Sequence, residues 1–265
     1  MSTSSSIPKL GQHWLKDPKI LETICEYADL DSNDFVIEIG PGLGTLTSKL
    51  LKSGAEVLAV EYDPKLAKDL VGSFPNKPTL KVQNSDIRTF NFEELRTGYK
   101  LVTNLPYYIS GIFFRILIDV KNKPEVAVVL VQMEVAQKMA ESPELGGSNK
   151  LAMLASYYYR TELGIKVSAK SFSPPPKVTS QVIILTPRKE PLFPQVGFKD
   201  YSRFVKFAFS SPRKTLENNL AAGLHLPKSE VSELLKPLSL NPETRAEQLN
   251  LEQWSKLFDI LSKLK

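Results

Sequence analysis

The chain has 265 residues, 42% of them hydrophobic, and a formal net charge of +5. That length carries one large domain and a small one, and that composition fills a normal core, which excludes a disordered or low-complexity chain. One cysteine and two histidines exclude a disulfide framework and point away from any metal site, and no apolar run approaches the length of a membrane span.

Met1 to Ser6 is polar and serine-rich and reads as a frayed tail without the apolar stretch of a secretory signal, which suits a cytoplasmic protein. Between Asp17 and Asp29, Ile20, Leu21, Ile24, Tyr27 and Ala28 recur at helical spacing and predict an amphipathic helix. Phe35-Val36-Ile37-Glu38-Ile39 ends in a glycine turn and predicts a buried strand. Leu43 to Lys52 follows as a helix and Glu56 to Val60 as a strand, and Asp63 or Pro64 opens the next helix, with proline in its first turn. Short strands are predicted at Leu80 to Val82 and Lys100 to Thr103, a helix at Ile112 to Val120 and a buried strand at Val126 to Val131. Strands alternating with helices predict a mostly parallel, doubly wound α/β sheet.

The character changes after Lys170. Phe172 to Val178 contains consecutive prolines at 174–176, which fix φ and remove donors, so it is not regular structure. Gln181 to Thr186 is a late strand and Pro187 to Pro194 a linker. Tyr201–Phe209, Lys214–Ala222, Lys228–Lys236 and Leu251–Leu264 all show helical patterns. The expected division is an α/β domain over 1–187 and a small all-helical domain over 188–265.

Gly40-Pro41-Gly42-Leu43-Gly44 lies between the strongest strand and a helix, where glycines let the backbone approach a ligand closely. Glu61 stands 19 residues after Gly42, at the end of the next strand, the spacing for an acid that holds ribose hydroxyls. Asp86 follows a third strand, where a carboxylate accepts from an adenine amino group. A dinucleotide turn calls for a third glycine where this chain has Thr45, and Glu38 would repel a pyrophosphate. Both features favour the cationic cofactor S-adenosylmethionine over NAD.

Asn104-Leu105-Pro106-Tyr107 follows the fourth strand. Adenine N6 is a poor nucleophile because its lone pair is delocalised into the ring. An asparagine carbonyl and a backbone carbonyl, accepting from its two N–H groups, direct it toward a methyl group and stabilise the charge developing on nitrogen. Proline fixes the turn so that the Leu105 and Pro106 carbonyls can face the substrate. Tyr107 offers a π-face to a base taken out of its stack, and Phe172 is the candidate second wall. Room for a methyl already on N6 is expected beside Asn104 and Tyr107.

From Arg188 onward 13 basic residues stand against 9 acidic ones, so most of the positive excess lies in the last third. Lys199, Arg203 and Lys206 share one helical face, Tyr201, Phe204 and Phe207 turn to another, and Arg213-Lys214 follow. The cations suit a phosphate-tracking surface for structured RNA, read by shape rather than by base. The aromatics read as core.

Taken in order, Gly11 to Leu15, Glu38 to Gly44, Asn104 to Tyr107, Phe172 to Val178, Arg213 to Leu220 and Arg245 to Leu249 resemble the KsgA-type small-subunit rRNA adenine dimethyltransferases over nearly the whole chain. The resemblance implies a seven-stranded class I, Rossmann-like methyltransferase domain. It also implies four methyl transfers to two adjacent adenosines near the 3′ end of small-subunit rRNA. The expected partner is the assembling 30S subunit, and no sequence feature suggests a dimer interface, so a monomer is expected. It assigns cofactor contacts to His13, Leu15, Gly40, Glu61, Asp86 and Asn104, with Asn104 also facing the target amine. The family often has Asn-Phe where this chain has His13-Trp14, and often asparagine at Tyr108. Three alternatives are an Erm-type large-subunit methyltransferase, a non-catalytic RNA-binding or assembly protein on the same fold, and an NAD-dependent oxidoreductase.

Overall fold

The structure is a computed structural model that describes residues 13–145 and 147–264; the serine-rich start, Gly11 and Gln12 lie outside them. In chain order the elements are β1 (Trp14–Leu15), α1 (Pro18–Glu26), β2 (Phe35–Ile39), α2 (Thr45–Leu50), β3 (Glu56–Glu61), α3 (Pro64–Ser73), β4 (Leu80–Asn84), β5 (Lys100–Asn104), α4 (Ser110–Asp119), β6 (Val126–Gln132), α5 (Met133–Ala140), α6 (Lys150–Ser156), β7 (Tyr159–Val167), β8 (Phe172–Ser173), β9 (Ser180–Pro187), α7 (Phe198–Ala208), α8 (Leu216–Leu224), α9 (Lys228–Leu235) and α10 (Leu251–Leu261). Among the described residues no helix is long and apolar enough to cross a membrane.

Seven strands form one sheet in the order β4-β3-β2-β5-β6-β9-β7. The pairs β4·β3, β3·β2, β2·β5 and β5·β6 are parallel, and β9 runs antiparallel to β6. Order reverses at β2, because β3 and β4 lie on one side and β5 and β6 on the other. The carboxyl ends of β2 and β5 therefore border the crevice where such sheets bind ligands. All five residues of β2 are buried, as expected for a central strand covered on both faces. Two helices start at Asp-Pro pairs. Asp17 accepts from the N–H groups of Lys19 and Ile20, and Asp63 from those of Lys65 and Leu66, with Pro18 and Pro64 in the first turn. Each carboxylate satisfies donors that the helix leaves open.

The chain forms two compact units, one running to Ala136 and resuming over Glu162–Thr186, the other made of Gln137–Thr161 and Pro187–Lys265. Against the expected single boundary at 187/188, Gln137–Thr161 groups with the C-terminal residues; this segment holds α6 and parts of α5 and β7, whose patterns are too short-ranged to predict. Met153 and Tyr157 are buried in one cluster with Phe193, Tyr201, Phe204, Trp254 and Phe258. The Tyr157 hydroxyl donates to the Val196 carbonyl (2.8 Å) and the Tyr201 hydroxyl to the Met153 carbonyl (2.5 Å). These contacts give α6 its place among the C-terminal helices. In that unit Tyr201 and Phe204 are buried, while Lys199, Arg203, Lys206, Arg213 and Lys214 are exposed.

Candidate functional site

A cavity of about 280 Å³ opens at the carboxyl ends of β2, β3 and β5. It is lined by the glycine turn from Gly40, by Glu38, Glu61, Asp86 and Asn104, and by the whole Leu105-Pro106-Tyr107 turn, with His13 and Trp14 at one side. Residues far apart in sequence thus share one space, as their strand-end positions predict.

The two turns touch. Gly40 has φ +68°, and a Cβ there would lie 3.1 Å from Cδ and 3.2 Å from Cγ of Pro106. Gly42, at φ +55°, passes the Trp14 indole so closely that a Cβ would sit 2.7 Å from Nε1. Both positions require glycine for conformation and for clearance. Behind them the Thr103 hydroxyl donates to the Ile39 carbonyl (2.5 Å), tying the end of β5 to the end of β2.

The acids differ sharply in setting. Glu38 is 1% exposed and accepts from the Thr47 hydroxyl at 2.6 Å. Burial pushes its carboxyl up to about 8, opposed by the bond from Thr47 and aided by the nearby Glu61. The buried Glu38 carboxyl therefore holds its proton to higher pH than an exposed glutamate does. Glu61 is also buried, and its two oxygens accept from the backbone N–H groups of Gly42 (3.0 Å) and Asp63 (2.9 Å). Its remaining lone pairs can still accept from vicinal hydroxyls. Asp86 accepts from the backbone N–H of Arg88 (2.9 Å) and from its Nε (3.0 and 2.8 Å) and Nη2. The side-chain bond from Arg88 holds the Asp86 carboxyl below its usual range.

The Asn104 amide donates to the His13 carbonyl at 3.5 Å, which leaves its oxygen as the acceptor. The Pro106 carbonyl accepts from the Ile109 N–H (3.1 Å) and closes a single helical turn. The Tyr107 hydroxyl lies 2.6 Å from that of Ser180. Its ring stands 5.7 Å from the His13 ring at 33°, and Nδ1 of His13 is 2.8 Å from the Pro174 carbonyl.

Two expected site residues do not line the cavity. Phe172 pairs with Leu15 across the short β1·β8 ladder, and both are buried in the α/β core. An apolar ring at a strand position gains from burial in that core, and Phe172 is 4% exposed. Conversely, Trp14, Tyr62, Ile87, Arg88, Tyr108 and Ile112 line it without having been assigned to it. For Tyr62, Ile87, Arg88 and Tyr108 the available signal was nearness in sequence to Glu61, Asp86 and Tyr107, and for Trp14 to His13.

Residues 4–263 match the family model described as "Ribosomal RNA adenine dimethylase". A relative from Dehalococcoides mccartyi, named "Ribosomal RNA small subunit methyltransferase A", is 38% identical over 251 residues, covering 94% of this chain and 86% of its own length. The crystal structure of the 23S rRNA methyltransferase ErmE superposes with a TM-score of 0.75 at 27% identity, covering 94% of this chain and 100% of its own. A dimethyladenosine transferase from Plasmodium falciparum gives 0.77 at 24% identity, covering 94% and 98%, a likeness of fold alone.

Proposed function

This chain belongs to the ribosomal RNA adenine dimethylase family, and from that premise we propose that it transfers methyl groups from S-adenosylmethionine to the N6 amino groups of two adjacent adenosines near the 3′ end of small-subunit rRNA. Its sheet is that of a class I, Rossmann-like methyltransferase. The observation that carries the reading is the contact between the Gly40 turn and the Pro106 turn at the mouth of one cavity. A cofactor cradle and an amine-orienting loop are held there as a single surface.

The donor set fits the cofactor. Two strand-end carboxylates, Glu61 and Asp86, accept from hydroxyls and an amino group, Ile87 and Val60 supply apolar walls, and close-approach glycines floor the cavity. S-adenosylmethionine supplies an electrophilic methyl on a sulfonium centre. His13, Glu38, Gly40, Gly42, Glu61, Asp86 and Asn104 hold it. The Asn104 oxygen and the Leu105 carbonyl accept from the two N–H groups of the target, turning the N6 lone pair toward the methyl. Tyr107 stacks on the flipped base, and Pro106, braced by Gly40, fixes the distance between the two partners. The cavity beside Asn104 and Tyr107 leaves space for a first methyl while the second is added. Exposed cations of the C-terminal unit hold the phosphate backbone of the particle's RNA.

A large-subunit adenine is the rival target, since ErmE shares the fold. The small-subunit name of the 38%-identical relative and the Arg213–Leu220 and Arg245–Leu249 segments favour the small subunit. The test offers unmethylated 30S and 50S particles side by side with radiolabelled cofactor. Label in 30S RNA as dimethyladenosine is expected, absent for Asn104→Ala; label confined to 50S RNA overturns the assignment.

A further inference from the structure

Ser180 sits in β9 opposite Gln132 of β6 and is fully buried. A buried hydroxyl is costly unless it is hydrogen-bonded, and this one lies 2.6 Å from the Tyr107 hydroxyl. Tyr107 is half-buried and lines the cavity. Its backbone is held by the Ile109-to-Pro106 bond and by the Ser110 hydroxyl, which donates to the Tyr107 carbonyl at 2.9 Å. A tyrosine held only at its backbone still turns about χ1 and χ2. A second hold at the phenolic oxygen restrains χ1 and so the place of the ring; that oxygen lies on the χ2 axis, and the plane of the ring is limited by the flanking His13 ring.

We propose that Ser180 is a positioning residue for methyl transfer: by fixing the Tyr107 hydroxyl it presets the ring on which the target adenine stacks, and so the aim of N6. Resting on the adenine-methylation reading above, the inference adds a residue distant from the catalytic loop in sequence. A preset ring lowers the ordering needed in the reacting complex. Loss of the bond therefore acts on the rate of transfer, with little effect on particle binding or on the cofactor.

The test measures kcat and KM on unmethylated 30S particles, with cofactor Kd from calorimetry, for Ser180→Ala, Tyr107→Phe, the double variant and Ser180→Thr. Ser180→Ala and Tyr107→Phe should each lower kcat roughly tenfold, the range for one lost hydrogen bond that acts in the transition state. KM should move less than about threefold and the cofactor Kd should not change. Because both substitutions remove the same bond, the double variant should be no slower than either single one, and Ser180→Thr should restore most of kcat. Multiplying losses in the double variant, or a kcat untouched by both single changes, overturns the role of Ser180. Tyr107→Phe reaches the bond from the cavity side, so if Ser180→Ala folds poorly, a kcat untouched by Tyr107→Phe still overturns the role of Ser180. No transfer to 30S by the unsubstituted protein would overturn the methylation reading itself, a distinct result.

Discussion

Glu38→Gln removes an ionisable proton from the floor of the cavity while keeping the side chain's shape and an oxygen for the Thr47 hydroxyl. The folded-state value of Glu38, about 8, lies above its ordinary 4.5, so the native chain keeps the proton where the unfolded chain has lost it. The stability that the neutral acid confers is fully present below about 4.5 and is lost as pH rises through about 8. Each pH unit inside that window is worth about 1.4 kcal/mol, so a fall on the order of 4 kcal/mol between pH 5 and pH 9 is expected from this group. The glutamine variant has no proton to lose. Its stability relative to the natural protein should therefore rise with pH, by up to that amount at pH 9. Urea unfolding followed by circular dichroism at pH 5, 7 and 9 measures the difference, and two curves that stay parallel would refute the reasoning.

Gly40→Ala places a Cβ 3.1 Å from the Pro106 ring at a left-handed φ; about 1–2 kcal/mol of stability and at least tenfold in kcat should be lost, seen by denaturation and by methyl-transfer kinetics. In the C-terminal unit, buried Asn219 donates to the carbonyls of Ala208 (2.8 Å) and Ser211 (3.1 Å) and accepts from the Ser210 hydroxyl (3.1 Å). Asn219→Ala should cost roughly 2–3 kcal/mol by stranding these groups, measured as a shift in the denaturation midpoint. Arg213→Ala and Lys214→Ala, both at exposed positions, should each weaken particle binding and reduce the salt slope by about 1, read from binding at several salt concentrations.

Where local chemistry and global position agree, the sequence was informative. Glu61 closes β3 and Asp86 follows the end of β4 by two residues, and Asp17-Pro18 and Asp63-Pro64 mark helix starts that any chain would use. The Gly40–Pro106 contact is different in kind. Each turn was legible alone, but their touching depends on β2 and β5 being sheet neighbours, which no local pattern states. The burial of Phe172 was not legible, because an aromatic before a run of prolines looks available for stacking and its pairing with Leu15 involves a strand of only two residues, β1. Ser180 carried a faint signal, a hydroxyl at the head of a strand with an apolar centre. Its partner lies 73 residues away, so only the folded chain identifies it. The 137–161 stretch went unread because its elements are short and its apolar residues, such as Met153, answer to a core formed mostly after residue 190.

That interleaving governs how the polypeptide can be made and cut. On a ribosome, β9 must emerge before the sheet's last places can fill, since it lies between β6 and β7. By then α6 has already appeared, with most of its packing partners still unsynthesised. A gene truncated after Pro187 would encode an α/β sheet carrying Met153 and Tyr157 as an exposed sticky patch, and the excised tail would lack the same two plugs. Clean separation of the halves calls for a graft: residues 137–161 replaced by a short bridge in one polypeptide and supplied back, as a fused segment, to the other.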